Sequence, residues 1–246
     1  MLLIQPESAR LAEYDALGLS YELIEQSMPG TLDAPLPDCW RNRDIRVVHG
    51  VFVDINPASN DPQIRAVCQA RCRQSCEIAK TVGAKAVVLH TGFFPYLPGD
   101  AYGEGWADAS AEFYQSLIED YDLNIHVENC ADRNPDLLRK LMERRGSQRL
   151  KVCLDVGHIH YTDTPDAVWF EALGPYIGQL HFSDNMGLLD DHLPLGEGSC
   201  DFSRLSALCA ALCPAPEYTT LEVGGPENIA RSVKFLREHH YFPFER

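Results

Sequence analysis

Short apolar runs bounded by turn residues recur along the chain at Leu2–Ile4, Tyr21–Ile24, Ile45–His49, Ala86–His90, Asn124–Glu128, Lys151–Asp155, Ile177–Phe182 and Thr219–Val223. Each reads as a strand. Between most of them the apolar spacing turns helical, over 61–82, 107–121, 134–145, 165–174, 201–212 and 226–239. In Asp61-Pro62 a helix start is legible, and Asn134-Pro135-Asp136, Thr164-Pro165-Asp166 and Gly225-Pro226-Glu227 place proline at a first helical position. Residues 25–44 break the rhythm, because Met28-Pro29-Gly30 and Ala34-Pro35-Leu36-Pro37 interrupt any helix; a long, partly structured loop is expected there. Eight strands in 246 residues amount to about 31 residues per unit, the size of one βα repeat. The expected fold class is therefore α/β, a parallel sheet with right-handed crossovers closing into a single (β/α)8 TIM barrel over 1–246. No linker divides the chain.

Composition narrows the possibilities. With 45% hydrophobic and 23% charged residues, the chain carries a full core, which excludes disordered and fibrous classes. A net charge of −15 repels phosphate backbones, so a general nucleic-acid binder is disfavoured unless a local basic patch overrides the field. The nine cysteines are odd in number, form no CxxC pair and fall mostly in apolar segments, which fits reduced thiols better than a disulfide framework. Cys68, Cys72 and Cys76 lie along one helix stripe, where small apolar packing explains them. No apolar run approaches the ~18 residues that span a bilayer, and Met1-Leu2-Leu3-Ile4-Gln5-Pro6-Glu7 lacks the basic and long apolar regions of a signal peptide. A cytoplasmic location with no membrane partner is expected, and the oligomeric state is left open.

The chemistry lies in how the strands end. The third ends in His49, the fourth in His90, the fifth in Glu128, and the sixth in Asp155 with His158 one turn later. The seventh carries His181 near its end, and the eighth carries Glu222. In a barrel these ends converge on one mouth, where such folds place active sites. The loop after strand seven adds Asp190 and His192. Carboxylates gathered so densely repel one another or take up protons unless a cation compensates them. Five histidines, two aspartates and two glutamates, without cysteine, suit Zn²⁺, Mn²⁺, Fe²⁺ or Co²⁺ rather than Ca²⁺ or a structural thiolate site. Nine donors are too many for one ion of four to six coordination, so two or three ions are arithmetically plausible, and a content of one to three is expected. His126 alternates with Glu128, while His160, His239 and His240 read as loop or surface residues; all four stand outside this set.

These residues resemble the xylose isomerase-like TIM barrels, which include the sugar isomerases and epimerases and the endonuclease IV-like AP endonuclease family 2. The matching motifs are Val87-Val88-Leu89-His90-Thr91-Gly92, His126-Val127-Glu128-Asn129, Cys153-Leu154-Asp155-Val156-Gly157-His158, His181-Phe182-Ser183-Asp184-Asn185, Asp190-Asp191-His192-Leu193-Pro194-Leu195-Gly196-Glu197-Gly198 and Leu221-Glu222-Val223. The likeness runs from about His49 to Glu222 at superfamily level. It implies that Glu128, Asp155, His181 and Glu222 form the single metal site of the isomerases. It also implies a second site of Glu128 with His49 and His90, and a third, similar to the endonuclease-like branch, of His158, Asp190 and His192. Retention of all nine positions pulls toward a polynuclear hydrolytic site.

The surrounding loops pull the other way. Segments 50–60, 91–104, 156–165, 183–200 and 224–227 contain no lysine or arginine, and 129–133 contains only Arg133. Basic residues cluster instead at Arg139, Lys140, Arg144, Arg145, Arg149 and Lys151, which read as a solvated helix face away from the mouth. Arg41 and Arg43 are the remaining candidates for a cationic lip. Aromatic residues are plentiful in the loops: Phe52, Phe93, Phe94, Tyr96, Tyr102, Trp106 and Tyr161. Flat faces beside polar groups suit a sugar or polyol, and Phe52, Phe93, Tyr96, Trp106 and Tyr161 are the expected substrate contacts.

The first reading is therefore an isomerase or epimerase of a small, unphosphorylated sugar or keto-sugar, with Glu128 and Glu222 as proton carriers and His158 as a catalytic group orienting substrate oxygen. The alternative is an endonuclease IV-like phosphodiester hydrolase using all nine ligands, although a nucleic-acid partner is disfavoured by the loops. A catalytically idle binding barrel has no reason to gather so many charges.

Overall fold

The computed structural model describes residues 1–95, 100–214 and 216–244. Among them, β1 (Leu2–Ile4), β2 (Ser20–Leu23), β3 (Ile45–His49), β4 (Ala86–His90), β5 (Asn124–Glu128), β6 (Leu150–Asp155), β7 (Ile177–Phe182) and β8 (Tyr218–Leu221) pair in chain order as a closed barrel. Every pairing is parallel, including β1 with β8. The expected strands coincide with these to within two residues.

Local chemistry sets each helix. Asp61 caps α3 (Pro62–Val82) by accepting from the Gln63 and Ile64 amides at 2.8 and 3.2 Å, Pro62 takes the first helical position, and Gly83 ends the helix at φ 77°. Such a cap is worth about 1 kcal/mol, and the left-handed exit suits glycine. The buried stripe of α3 is Cys68, Cys72, Ser75, Cys76 and Ala79, so the three cysteines act as small core residues. In α5 (Asp136–Arg144), Leu137, Leu138, Leu141 and Met142 face inward; α7 (Asp166–Leu173), α8 (Phe202–Leu212) and α9 (Pro226–His239) complete the outer ring.

Residues 25–44 form a partly structured loop, as expected, with a short helix, α2 (Pro29–Leu32), and a 3-10 turn at Asp38–Trp40 that buries Trp40. Two expectations need correction. Pro135 and Pro165 occupy the cap positions of α5 and α7 and not the first helical turn. The helix expected over 107–121 is α4, Asp100–Tyr121, about two turns longer than its apolar spacing suggested because Gly103 and Gly105 weaken the helical signal at its start. Two further short helices, α1 (Leu11–Asp15) and α6 (Val156–His160), follow β1 and β6.

Inside the barrel, alternate strand residues point inward. Leu3, Val47, Ala86, Val88, Cys153 and Tyr218 form an inner apolar cluster distinct from the core between strands and helices. The next inward positions along β3, β4 and β6 are His49, His90 and Asp155, so the period of two that fills the floor also aims the ligands into the mouth. Register finishes the alignment: His90 pairs with Glu128, and Asp155 with His181. No helix among the described residues is long and apolar enough to cross a membrane.

Candidate metal centre at the barrel mouth

Four of the five histidines at the mouth, His49, His158, His181 and His192, are oriented by an acceptor behind them. His49 Nδ1 lies 3.0 Å from the Gly50 carbonyl, His158 Nδ1 2.7 Å from that of Asn129, and His192 Nδ1 2.8 Å from that of Glu222. A carbonyl can only accept, so Nδ1 donates and Nε2 is presented to the cleft. His181 is turned the other way. Its Nε2 lies 3.2 Å from Glu22 Oε2, which leaves Nδ1 facing Glu128 Oε1 at 3.3 Å and Glu222 Oε2 at 3.1 Å.

Glu128, Asp155, His181 and Glu222 place one ligand atom each within 4.8 Å of the others, and so do His49, His90 and Glu128. In the second group His49 Nε2 and His90 Nε2 are 3.3 Å apart, and each is 3.4 Å from Glu128 Oε2. Donors about 2.1 Å from a tetrahedral ion stand roughly 3.4 Å from one another, which the His49, His90 and Glu128 atoms match, as do His181 Nδ1 with Glu128 and Glu222 in the first group. Both Glu128 oxygens, Asp155 Oδ2, His181 Nδ1 and Glu222 Oε2 are buried without a hydrogen-bond partner among the described residues. Orphaned polar atoms converging on one point are what a cation would satisfy. The residues fit a divalent metal.

The electrostatics agree. Burial alone would raise the Glu128 carboxyl, but the imidazoles of His181 and His90 hold it well below the usual range, and Glu222 is lowered against burial chiefly by His181. Asp155 is pushed up to about 7 by burial, with Glu222 and Glu128 as neighbouring like charges. His158 and His181 are raised despite burial, the first chiefly by Asp155 and Asp190, the second by Cys153, Glu22 and Glu128. Protons and carboxylates thus compete for the balance that a divalent cation supplies directly.

The third trio meets on a single oxygen. Asp190 Oδ2 lies 3.1 Å from His158 Nε2 and 2.9 Å from His192 Nε2. Their loop is held from beneath by Asp184, whose carboxylate accepts from the amides of Asn185, Gly196, Gly198 and Cys200 at 2.9–3.0 Å. Asn185 ties the same loop to the Gly157 carbonyl at 2.9 Å. The sequence Ser183-Asp184-Asn185 therefore works as a brace for the ligands that follow it.

A family model described as "Xylose isomerase-like TIM barrel" matches residues 39–239. The chain belongs to this family. Among curated relatives, this xylose isomerase-like barrel is 29% identical over 175 residues to "Uncharacterized protein MJ1311" of Methanocaldococcus jannaschii, covering 63% of this chain and 57% of that protein. A second M. jannaschii relative is matched over 62% of its length, so the chain spans about three-fifths of either protein. "Probable endonuclease 4" of Mycobacterium leprae is 27% identical over 210 residues, 78% of this chain and 77% of that one. Two solved structures share the fold. A Thermus thermophilus protein, TTHB071, soaked with ZnCl2, has TM-score 0.78 at 23% identity over 96% of both chains. A D-tagatose 3-epimerase-like protein has TM-score 0.80 at 21% identity, over 97% of this chain and 96% of that one.

Within this xylose isomerase-like barrel the expected aromatic contacts divide. Phe52 stacks on His90 with ring centroids 4.9 Å apart and lines a cleft of about 350 Å³ together with His49, His90, Glu128, His158, Asp190, His192 and Glu222. Tyr161 packs edge-on to His158 at 6.0 Å and reaches the Cys130 carbonyl at 3.4 Å. Phe93 is stacked instead on Tyr102 at 4.9 Å, and Trp106, 1% exposed, is a core residue of α4 packed edge-on against Phe93 at 5.9 Å. Tyr96 lies outside the described residues.

The basic residues also find structural partners. Lys140 and Arg144 pair with Glu104, Arg139 with Glu143, Arg149 with Asp122 and Lys151 with Glu217, while Arg145 lies over the Tyr176 ring. Arg41 pairs with Asp38 and Arg43 with Asp15. Arg41 borders a hollow with Gly83 at the far end of α3, so the expected cationic lip is at the opposite end of the barrel. His126, outside the ligand set, is buried with Nδ1 2.8 Å from Gln179 Oε1, and burial pushes it down to about 4. Sequence reasoning missed Glu22, Gln5 and Gln179, which surround His181 and Glu222.

Proposed function

We propose that the chain is a divalent-metal-dependent isomerase or epimerase acting on a small, unphosphorylated sugar or keto-sugar. The observation that carries this reading is the approach of Glu128 and Glu222, from β5 and the end of β8, to the same nitrogen of His181 at 3.3 and 3.1 Å. A cation held by Glu128, Asp155, His181 and Glu222 supplies Lewis acidity toward a carbonyl and its neighbouring hydroxyl. Glu222 Oε1 accepts from Gln5 at 3.0 Å, which fixes its carboxylate plane. One of the two glutamates removes the proton from the carbon beside the carbonyl, and the other returns it from the opposite side. His158, braced by Asn129 and Asp190, orients a substrate oxygen, and Phe52 offers a flat face to a sugar ring.

The rim supports a neutral substrate. Met28, Val53, Phe94, Met186, Leu188 and Leu189 are exposed large apolar side chains on segments that follow β2, β3, β4 and β7, and Arg133 is the sole lysine or arginine in the loops counted after β3 to β8. Such a mouth gives a phosphate or phosphodiester little to hold. Structural likeness to epimerases points the same way, including a second neighbour described as L-ribulose 3-epimerase (TM-score 0.69).

The test is proton exchange. Metal-loaded protein is incubated with a panel of ketoses and aldoses in D2O, and deuterium at the carbon beside the carbonyl is read by mass spectrometry. Wild type is expected to incorporate label, and Glu222→Gln to lose incorporation while metal content is measured in parallel. Full exchange in Glu222→Gln on every sugar that wild type labels would sink the proposal.

The His158–Asp190–His192 trio favours a second reading, phosphodiester hydrolysis at a polynuclear site. Cleavage of an abasic-site duplex, lost in His192→Ala, would establish it.

A further inference from the structure

Glu22 is a fully buried carboxylate in the barrel interior. It lies within ligand distance of His49 and His181, which would make it a further ligand for the metal. Its hydrogen bonds argue otherwise. Glu22 Oε2 receives Gln179 Nε2 at 2.6 Å, Thr220 Oγ1 at 2.6 Å and His181 Nε2 at 3.2 Å, and Oε1 receives Gln5 Nε2 at 3.3 Å. Gln179 Nε2 also lies 3.0 Å from His181 Nε2, but its two protons go to Glu22 Oε2 and to Thr220 Oγ1 at 3.1 Å, which leaves the His181 proton to Glu22. Neither oxygen is left without a partner, whereas both oxygens of Glu128 are. Oε2, the oxygen that faces His181, has its lone pairs taken by three donors and has none to offer an ion.

We propose that Glu22 is the positioning carboxylate of the metal centre: it takes the Nε2 proton of His181 and so fixes the tautomer and ring plane that turn Nδ1 toward Glu128 and Glu222. The other mouth histidines with a placed Nδ1 use a neutral backbone carbonyl for this purpose. His181 alone among His49, His158, His181 and His192 is backed by a carboxylate, and it sits between the two glutamates. A charged acceptor strengthens the donated hydrogen bond and makes the opposite nitrogen a better ligand. Gln5 extends the same brace, because its amide donates to Glu22 Oε1 and also to Glu222 Oε1 at 3.0 Å. One amide and one carboxylate thereby hold two ligands of the same site.

This inference rests on the metal being held at the mouth and is independent of the sugar reaction. Zinc affinity is measured for the full chain by competition with a chromogenic chelator. Glu22→Gln keeps side-chain volume but turns an amide NH2 toward donors, and the expected result is about 10–100-fold weaker binding at the tightest site, with the His49–His90–Glu128 uptake still present. A variant that binds zinc within twofold of wild type overturns the inference alone. A wild type that takes up no zinc overturns the metal reading together with it. A second measurement needs no folded variant: ¹⁵N-histidine spectra of zinc-loaded wild type should show His181 protonated at Nε2 and bare at Nδ1. The opposite tautomer would overturn the proposal.

Discussion

Asp190 and His192 stand two residues apart in the loop after β7, and the Asp190 carboxylate meets the His192 Nε2 at 2.9 Å because His192 adopts a left-handed backbone, φ 49°. That turn sends both side chains to the same side of the loop, and His158 closes the group from the turn after β6. If the trio holds an ion of its own, His192→Ala should take up about one zinc fewer per chain than wild type in a direct titration. Unchanged uptake would show that the trio orients substrate without metal.

The loop's brace makes a stability prediction. A Cβ on Gly198 would stand 2.3 Å from Asp184 Oδ1 and 2.5 Å from the Asn185 carbonyl, both already fixed by hydrogen bonds. Gly198→Ala should cost about 1–3 kcal/mol in denaturant unfolding and reduce turnover by displacing Asp190 and His192. A variant as stable and active as wild type would mean that the loop is free to move away.

Phe52 stacks on His90 and closes the wall of the cleft. Removing a ring that packs on substrate forfeits about 1 kcal/mol of binding. Phe52→Ala should therefore raise KM about fivefold to tenfold and leave kcat within a factor of a few. A fall in kcat at constant KM would instead assign Phe52 to holding His90.

The basic helix face is predicted to be inert. Arg139 and Arg149 are partly exposed and paired with carboxylates, and such pairs contribute at most about 1 kcal/mol. Alanine at either position should leave activity unchanged, and neither wild type nor variant should shift duplex DNA in a gel. Binding that falls steeply with salt, and weakens in these variants, would contradict the placement of substrate at the apolar mouth.

Most of the barrel was legible because its strands are short apolar runs separated by capped helices, and because ligands at strand ends need only the correct strand to be placed. Glu128, Asp155 and His181 required nothing more than β5, β6 and β7. Glu22 was not legible: a lone acid in a short strand has no signature until barrel closure brings Gln179 and Thr220, 157 and 198 residues away, against it. Trp106 misled for a local reason. With α4 placed to start at 107 it fell in a loop, whereas in a helix starting at Asp100 its side chain turns to the core. Arg41 and Arg43 precede β3 and belong to the far end of the barrel, which chain order alone already implied for a residue before a strand.

The measurement that tests the central claim most directly is the divalent-metal content of protein purified without chelator or added metal, wild type beside His181→Ala. The account predicts at least one tightly held ion, Zn²⁺ or Mn²⁺, per wild-type chain and about one fewer in the variant. Wild-type protein that holds no divalent metal as purified, or a variant that keeps the full complement, would contradict it.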